Sequence, residues 1–184
     1  THCAISTENT PTSTTETTET PKNSGLSTET KAKFNTAMTN AAKAFNSKDY
    51  AKAVVYYNEA LTYDKSDTVY TGLFSAYGAM GDWTKARTAI DAAIALNPSF
   101  TDHWTSKLAM LDEKTNSSFA ELKKVYEAGL KKVDSRTKVN LVVSFAKIAE
   151  NNGEKAEAIA LWTYAKQVYP ENASIYQQEI NIIK

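Results

Sequence analysis

Residues 81–98 read G-D-W-T-K-A-R-T-A-I-D-A-A-I-A-L-N-P, and this stretch decides how the 184-residue chain is understood. Trp83, Ala86, Ile90 and Ala93 recur at steps of three and four, which puts them on one face of a helix. The two alanines let a second helix approach closely, while Trp83 and Ile90 fill space above and below them. Pro98 follows because proline cannot continue a helix.

Working outward, the same pattern returns. A helix predicted over Tyr50–Tyr63 carries Tyr50, Ala53, Tyr57 and Ala60, so that Ala53 to Ala86 and Ala60 to Ala93 are both steps of 33 residues. A helix predicted over Thr28–Asn46 precedes it, with Ser27 or Thr28 as its cap and Ala37, Ala41, Ala44 and Phe45 on its inner face. Residues 47–49 form the turn between the two. Ahead of Trp83, a further helix bears Tyr70, Leu73, Phe74 and Tyr77 and turns at Gly81-Asp82. A third pair has Trp104, Leu108 and Leu111, then Phe119, Leu122, Tyr126 and Gly129 across a longer turn at 112–118. The fourth has Val142, Phe145, Ala146 and Ala149, a turn at 151–153, then Ala158, Trp162, Ala165 and Pro170. A last helix, Ala173–Ile183, aligns Tyr176, Ile180 and Ile183 and leaves Ile182 off the stripe.

These aromatic, glycine, alanine and proline positions resemble the tetratricopeptide repeat, whose period is about 34 residues. Residues 67–98 and 139–170 carry the pattern most fully. Residue 65 is lysine where proline is usual, and Leu122 and Gly129 replace alanines in the third unit. The resemblance implies an all-α, right-handed superhelix of four helix pairs plus a capping helix, with an extended, non-helical N-terminal tail. The domains are then a tail at 1–27 and a repeat domain at 28–184, with units at about 34–66, 67–100, 101–136 and 137–172 and a cap at 173–184. Such short helix pairs bury their apolar faces only by stacking. By the family's register, the groove that binds protein is lined by Asn35, Met38, Ala42, Phe45, Thr68, Thr71, Ser75, Thr105, Ala109, Asn140, Val143 and Lys147. Lys147 stands alone there, without the lysine and asparagine cluster with which chaperone-binding relatives clamp a peptide carboxylate. A neutral extended segment, such as one with the composition of the tail, suits this lining.

Composition excludes several roles. Lys+Arg and Asp+Glu are both 21, so there is no basic excess for nucleic acid or an anionic membrane. No apolar run is long enough to span a bilayer. No metalloprotease, redox-cysteine, phosphate-loop or nucleophile-elbow motif occurs, and neither an enzyme nor any cofactor or metal is expected. His103 reads as a capping or surface histidine at a helix start, and Asp112 and Glu113 as solvated carboxylates in a turn. Trp83, Trp104 and Trp162 read as packing between repeats.

The tail is different in kind. Residues 6–20 are almost wholly Thr, Ser and Glu, too polar to offset the entropy of ordering. Serine- and threonine-rich sequence with proline resembles O-glycosylated stalks, which makes Thr7, Thr10, Thr12, Thr14, Thr15, Thr17, Thr18 and Thr20 candidate O-glycan sites. Asn116 and Asn172 head N-glycosylation triplets, and Asn172 is also placed to cap a helix. The single cysteine, Cys3, is a candidate for lipidation or an intermolecular disulfide. The opening on Thr1 rather than Met reads as a processed or trimmed form. The expectation is a non-enzymatic structural or interaction protein of the cell exterior. It would assemble with copies of itself into a fibre or surface layer, its tail bridging subunits or carrying glycans. The alternative is an envelope lipoprotein adaptor, tethered through Cys3, that holds a protein partner in the groove.

Overall fold

The structure, a computed structural model, describes residues 25–183. The expectations placed on Cys3 and on the threonines at 7–20 lie outside the described residues.

Ser27 is the residue that starts the array: its hydroxyl accepts from the backbone N–H of Thr30 at 3.2 Å and caps α1, Thr28–Asn46. The helices that follow are α2 (Tyr50–Tyr63), α3 (Asp67–Ala79), α4 (Trp83–Leu96), α5 (Thr101–Glu113), α6 (Phe119–Leu130), α7 (Lys138–Asn151), α8 (Lys155–Val168) and α9 (Ala173–Ile183). Short connections fold each helix back on its predecessor, so odd-numbered helices start, and even-numbered helices end, at the same edge of the stack.

Three of the pair turns share one closure. In the first, Lys48 N–H bonds Phe45 C=O at 2.9 Å and Asp49 N–H bonds Ala44 C=O at 2.9 Å. Gly81 with Asp82, and Gly153 with Glu154, repeat both bonds in the second and fourth. This Schellman-type ending needs a residue with positive φ, and the three take 62°, 75° and 76° at Lys48, Gly81 and Gly153. Asp49 and Asp82 then cap α2 and α4 through the N–H groups of Lys52 and Lys85, each at 3.1 Å. The third turn departs from this form. Helix α5 continues through Asp112 and Glu113, which the sequence reading had put in the turn, and the connection is 114–118. There Asn116 adopts φ 51°, and Ser118 with Glu121 forms a capping box for α6.

The core divides into two clusters of buried side chains. One gathers α1, α2 and α3 with Ala89, and the other runs from Ala86, Ile90 and Ala93 to Tyr176 and Ile180. Helix α4, the stretch read first, therefore faces both clusters. Gly129, which departs from the alanine pattern, is required by its neighbour: a Cβ there would lie 2.8 Å from Cδ2 of Trp104. Trp104 cannot easily move aside, because its indole N–H donates to the Pro98 carbonyl at 2.8 Å. At the far end a 3-10 turn, Pro170–Asn172, leads into α9. Asn172 lies in that turn and makes no side-chain cap, so the capping expectation does not hold.

Candidate functional site

The candidate site is the face presented by α3, α5 and α7, where two open cavities follow one another. The first, about 530 Å³, is lined by Asp67, Thr68, Thr71, Asn97, Phe100 and His103. The second, about 490 Å³, is lined by Thr105, Ser106, Ala109, Asp112, Glu113, Val143, Ser144, Lys147, Ile148 and Asn151. Of the groove positions expected from the sequence, Thr68 and Thr71 meet in the first cavity, and Thr105, Ala109, Val143 and Lys147 meet in the second. Asn35, Met38, Ala42, Phe45, Ser75 and Asn140 line neither. Phe45 instead packs edge-on against Tyr50, with centroids 5.2 Å apart, where α1 turns into α2.

Three hydroxyls on this face are already committed as donors. Thr71 gives its proton to the Asp67 carbonyl at 2.9 Å, Ser75 to Thr71 at 3.1 Å, and Thr105 to Asp102 at 3.2 Å. What these three groups offer outward is oxygen lone pairs, which suit N–H donors of a ligand, while Thr68, Ser106 and Ser144 of the two linings can still donate.

His103 corrects the sequence reading. It is only 3% exposed, and its Nε2 lies 3.2 Å from Asp67 Oδ2. The same carboxylate oxygen accepts from Asn97 Nδ2 at 2.7 Å, and the ring of Phe100 stands edge-on to the imidazole at 4.8 Å. Asp67 belongs to α3 and His103 to α5, so this network joins successive repeats beneath the first cavity. It was missed because the two residues are 36 positions apart.

Lys147, the single lysine among the expected groove positions, is paired with carboxylates. Its ammonium contacts Glu179 at 2.6 Å and Glu150 at 3.3 Å, and it lies 5.1 Å from the centroid of the Trp162 ring. Burial disfavours its charge, but the bonds to Glu179 and Glu150 outweigh this and hold its pKa above the ordinary lysine value. The Trp162 indole N–H donates to the other oxygen of Glu150. On the opposite rim, Asp112 accepts from Asn152 Nδ2 at 2.8 Å, and Glu113 lies 3.7 Å from Lys114. Both are carboxylates that the sequence reading had assigned to the turn. Ser106 and Ser144 were missed as well, although each directly follows a residue that was assigned to the lining.

Asn116 is exposed, as a glycan acceptor would need to be, and so is Asn172. Among the described residues no cluster of His, Cys, Asp and Glu could hold a metal ion, and no helix is long and apolar enough to cross a membrane.

Residues 38–67 match a family model described as tetratricopeptide repeat. The match falls on the first unit, the one with lysine at 65. No curated protein matches the chain. Among solved structures, the fold is similar to PilW, described as a widely conserved type IV pilus biogenesis factor. The TM-score is 0.57 at 15% identity, covering 86% of this chain and 79% of PilW. It is also similar to the Sgt2 tetratricopeptide-repeat domain of Aspergillus fumigatus, with a TM-score of 0.50 at 21% identity, covering 72% and 87%. The chain thus carries a tetratricopeptide repeat and has the all-helical fold of these arrays, a fold that serves protein–protein interaction.

Proposed function

We propose that this tetratricopeptide-repeat array is a non-enzymatic adaptor of the cell envelope that holds an extended, neutral or mildly basic segment of a partner protein along α3, α5 and α7. The observation that carries this reading is the pair of cavities of about 530 and 490 Å³, with Thr68 and Thr71 in the lining of the first, Thr105, Ser106, Ala109 and Ser144 in that of the second, and Asp112 and Glu113 at the rim. Lys147 is neutralised by Glu179 and Glu150, which disfavours a clamp on a peptide's terminal carboxylate. Likeness of fold to a pilus biogenesis factor supports an envelope setting.

Titration calorimetry with a library of extended peptides tests the groove. Peptides with small residues and one Lys or Arg should bind more tightly than about 1 mM, and acidic peptides should not. Ala109→Arg, at an exposed position of the second cavity, should weaken binding at least about tenfold while leaving the melting temperature near that of the parent. Equal binding of acidic and basic peptides would sink the reading. Intact-mass analysis of the native N-terminal peptide tests the setting, since tethering through Cys3 requires a lipid mass on that residue.

Self-association is a second reading, favoured by the outer face of α9. A terminal helix of a solenoid ordinarily shows solvent a polar face, yet Ile182 is 78% exposed and Ile175 52%. If copies stack through this end, Ile182→Glu converts an oligomer to a monomer in light scattering. A parent that is monomeric at all concentrations rules it out.

A further inference from the structure

The charges of this neutral chain are unevenly divided. Residues 1–24 hold Glu8, Glu16 and Glu19 against Lys22, a net −2, so the remaining residues carry +2. That positive charge is concentrated around the connection between α6 and α7. Between residues 124 and 138, Lys124, Lys131, Lys132, Arg136 and Lys138 stand against Glu127 and Asp134, a net of +3 along this stretch, while Glu157 of α8 is taken up by Lys123 at 3.0 Å. Arg136 pairs with Asp134 at 3.4 Å. Lys124, Lys131, Lys132 and Lys138 form no ion pair among the described residues. Beside them lies a cavity of about 440 Å³ lined by Glu127, Leu130, Lys131, Lys138 and Tyr164, with the half-exposed Tyr164 ring as an apolar wall. The groove of α3, α5 and α7 is a poor host for an acidic strand, because Asp112 and Glu113 stand at its rim.

We infer that the acidic threonine-rich segment at 8–20 docks in the same molecule on this lysine shelf between α6 and α7. Charge complementarity chooses the surface, and connectivity makes it accessible. The start of α1 and the α6–α7 connection share one edge of the stack, three odd-helix steps apart, or about 30 Å at usual interhelix spacing. A 24-residue strand spans up to about 80 Å, and tethering gives the segment a millimolar effective concentration at such a site. The other lysine grouping, Lys43, Lys48 and Lys52, sits at the opposite edge, with Asp49 among it and a smaller cavity of about 280 Å³. The docked segment would cover the shelf and leave the groove open, so this inference stands apart from the groove reading.

Carbodiimide coupling, which joins a carboxylate directly to an amine, tests it on the full chain. The reaction is run on an equal mixture of isotope-labelled and unlabelled protein and mapped by mass spectrometry. Links from Glu8, Glu16 or Glu19 to Lys124, Lys131, Lys132 or Lys138 within one isotope class are expected. Their yield should fall at least about fivefold at about 0.5 M salt, where the screening length is only a few ångströms. Lys131→Glu with Lys132→Glu should remove them without shifting the melting temperature. Links that favour Lys43, Lys48 and Lys52, links that join the two isotope classes, or tail glutamates that couple to no lysine would each overturn the inference.

Discussion

The two ends of this array share a repeat pattern but bury different things. In the cluster of α1, α2 and α3, seven of the ten buried residues are alanine. In the cluster that runs from α4 to α9, six of twenty-two are alanine, and the rest include two tryptophans, two tyrosines and a phenylalanine. The first cluster gains from close approach of helix backbones. The second gains from large apolar area, since each aromatic ring buries on the order of 150–250 Å² and each Å² is worth about 25 cal/mol. Here Phe145 lies stacked between Phe119 and Tyr126, at 5.4 and 4.3 Å, and Trp162 lies on Tyr176 at 5.8 Å. On fully buried aromatic area alone, the cluster from α4 to α9 should be the stronger half and that of α1, α2 and α3 the weaker.

The most direct way to break this comparison is to remove the central ring. Phe145 is fully buried, and Phe145→Ala should cost about 3–5 kcal/mol in chemical denaturation. Leu73→Ala in the first cluster should cost about 2 kcal/mol, the low end of the range for such changes, because its alanine neighbours lie close enough to settle around the gap. A larger loss from Leu73→Ala than from Phe145→Ala would reverse the assignment of the strong half.

Alkaline pH probes the same cluster. Burial pushes the Tyr126 phenol up to about 12, while Tyr57 in the first cluster is raised by burial as well. A raised folded value means that the stabilising contribution is complete below the ordinary value near 10. It is lost as pH rises from there through about 12. Tyr126→Phe keeps the ring and removes this titration. It should recover roughly 2 kcal/mol of the alkaline loss, read as denaturation midpoints on either side of pH 10. An unchanged alkaline slope would show that the ring's environment differs from the one described.

How much of this was legible in the sequence depends on the distance over which residues act. Trp83, Ala86, Ile90, Ala93 and Pro98 reveal a helix and its repeat because small residues at helix contacts leave a periodic trace. That local signal also placed α1, α2 and α9. The site was not legible in the same way. The bond of His103 to Asp67 depends on two helices being stacked, and the neutralisation of Lys147 comes from Glu179, 32 residues later. Both pairings exist only once the repeats have closed on one another. Gly129 is the intermediate case: it looked like a lapse from the alanine pattern, and the Trp104 ring explains it.

That glycine yields a paired test. In both halves a glycine faces a ring. A Cβ at Gly129 would meet the inner atoms of the indole at 2.8 Å, and one at Gly72 would meet the outer atoms of the Tyr57 ring at 2.4 Å. The indole is held by its bond to Pro98, whereas the far end of a tyrosine ring can swing. Gly129→Ala should thus lose about 1–2 kcal/mol even after the gain in helix propensity, and Gly72→Ala should lose less, because the buried Tyr57 ring must shift but is held by no side-chain hydrogen bond among the described residues. Equal losses would mean that the first cluster is packed as rigidly as the second.

The smallest effect concerns the turns. Lys48 occupies, at φ 62°, the place that Gly81 and Gly153 fill in other units. A β-carbon in this conformation costs about 1 kcal/mol, which glycine avoids. Lys48→Gly should therefore raise stability by about 0.5–1 kcal/mol, and the reciprocal Gly153→Lys should lower it by a similar amount. If most of the gain from Lys48→Gly appears as slower hydrogen exchange in α1 and α2, the weak half opens separately from the rest. If exchange slows equally in α7 and α8, the array opens as one unit, and the contrast between the two cores is one of composition rather than of cooperativity.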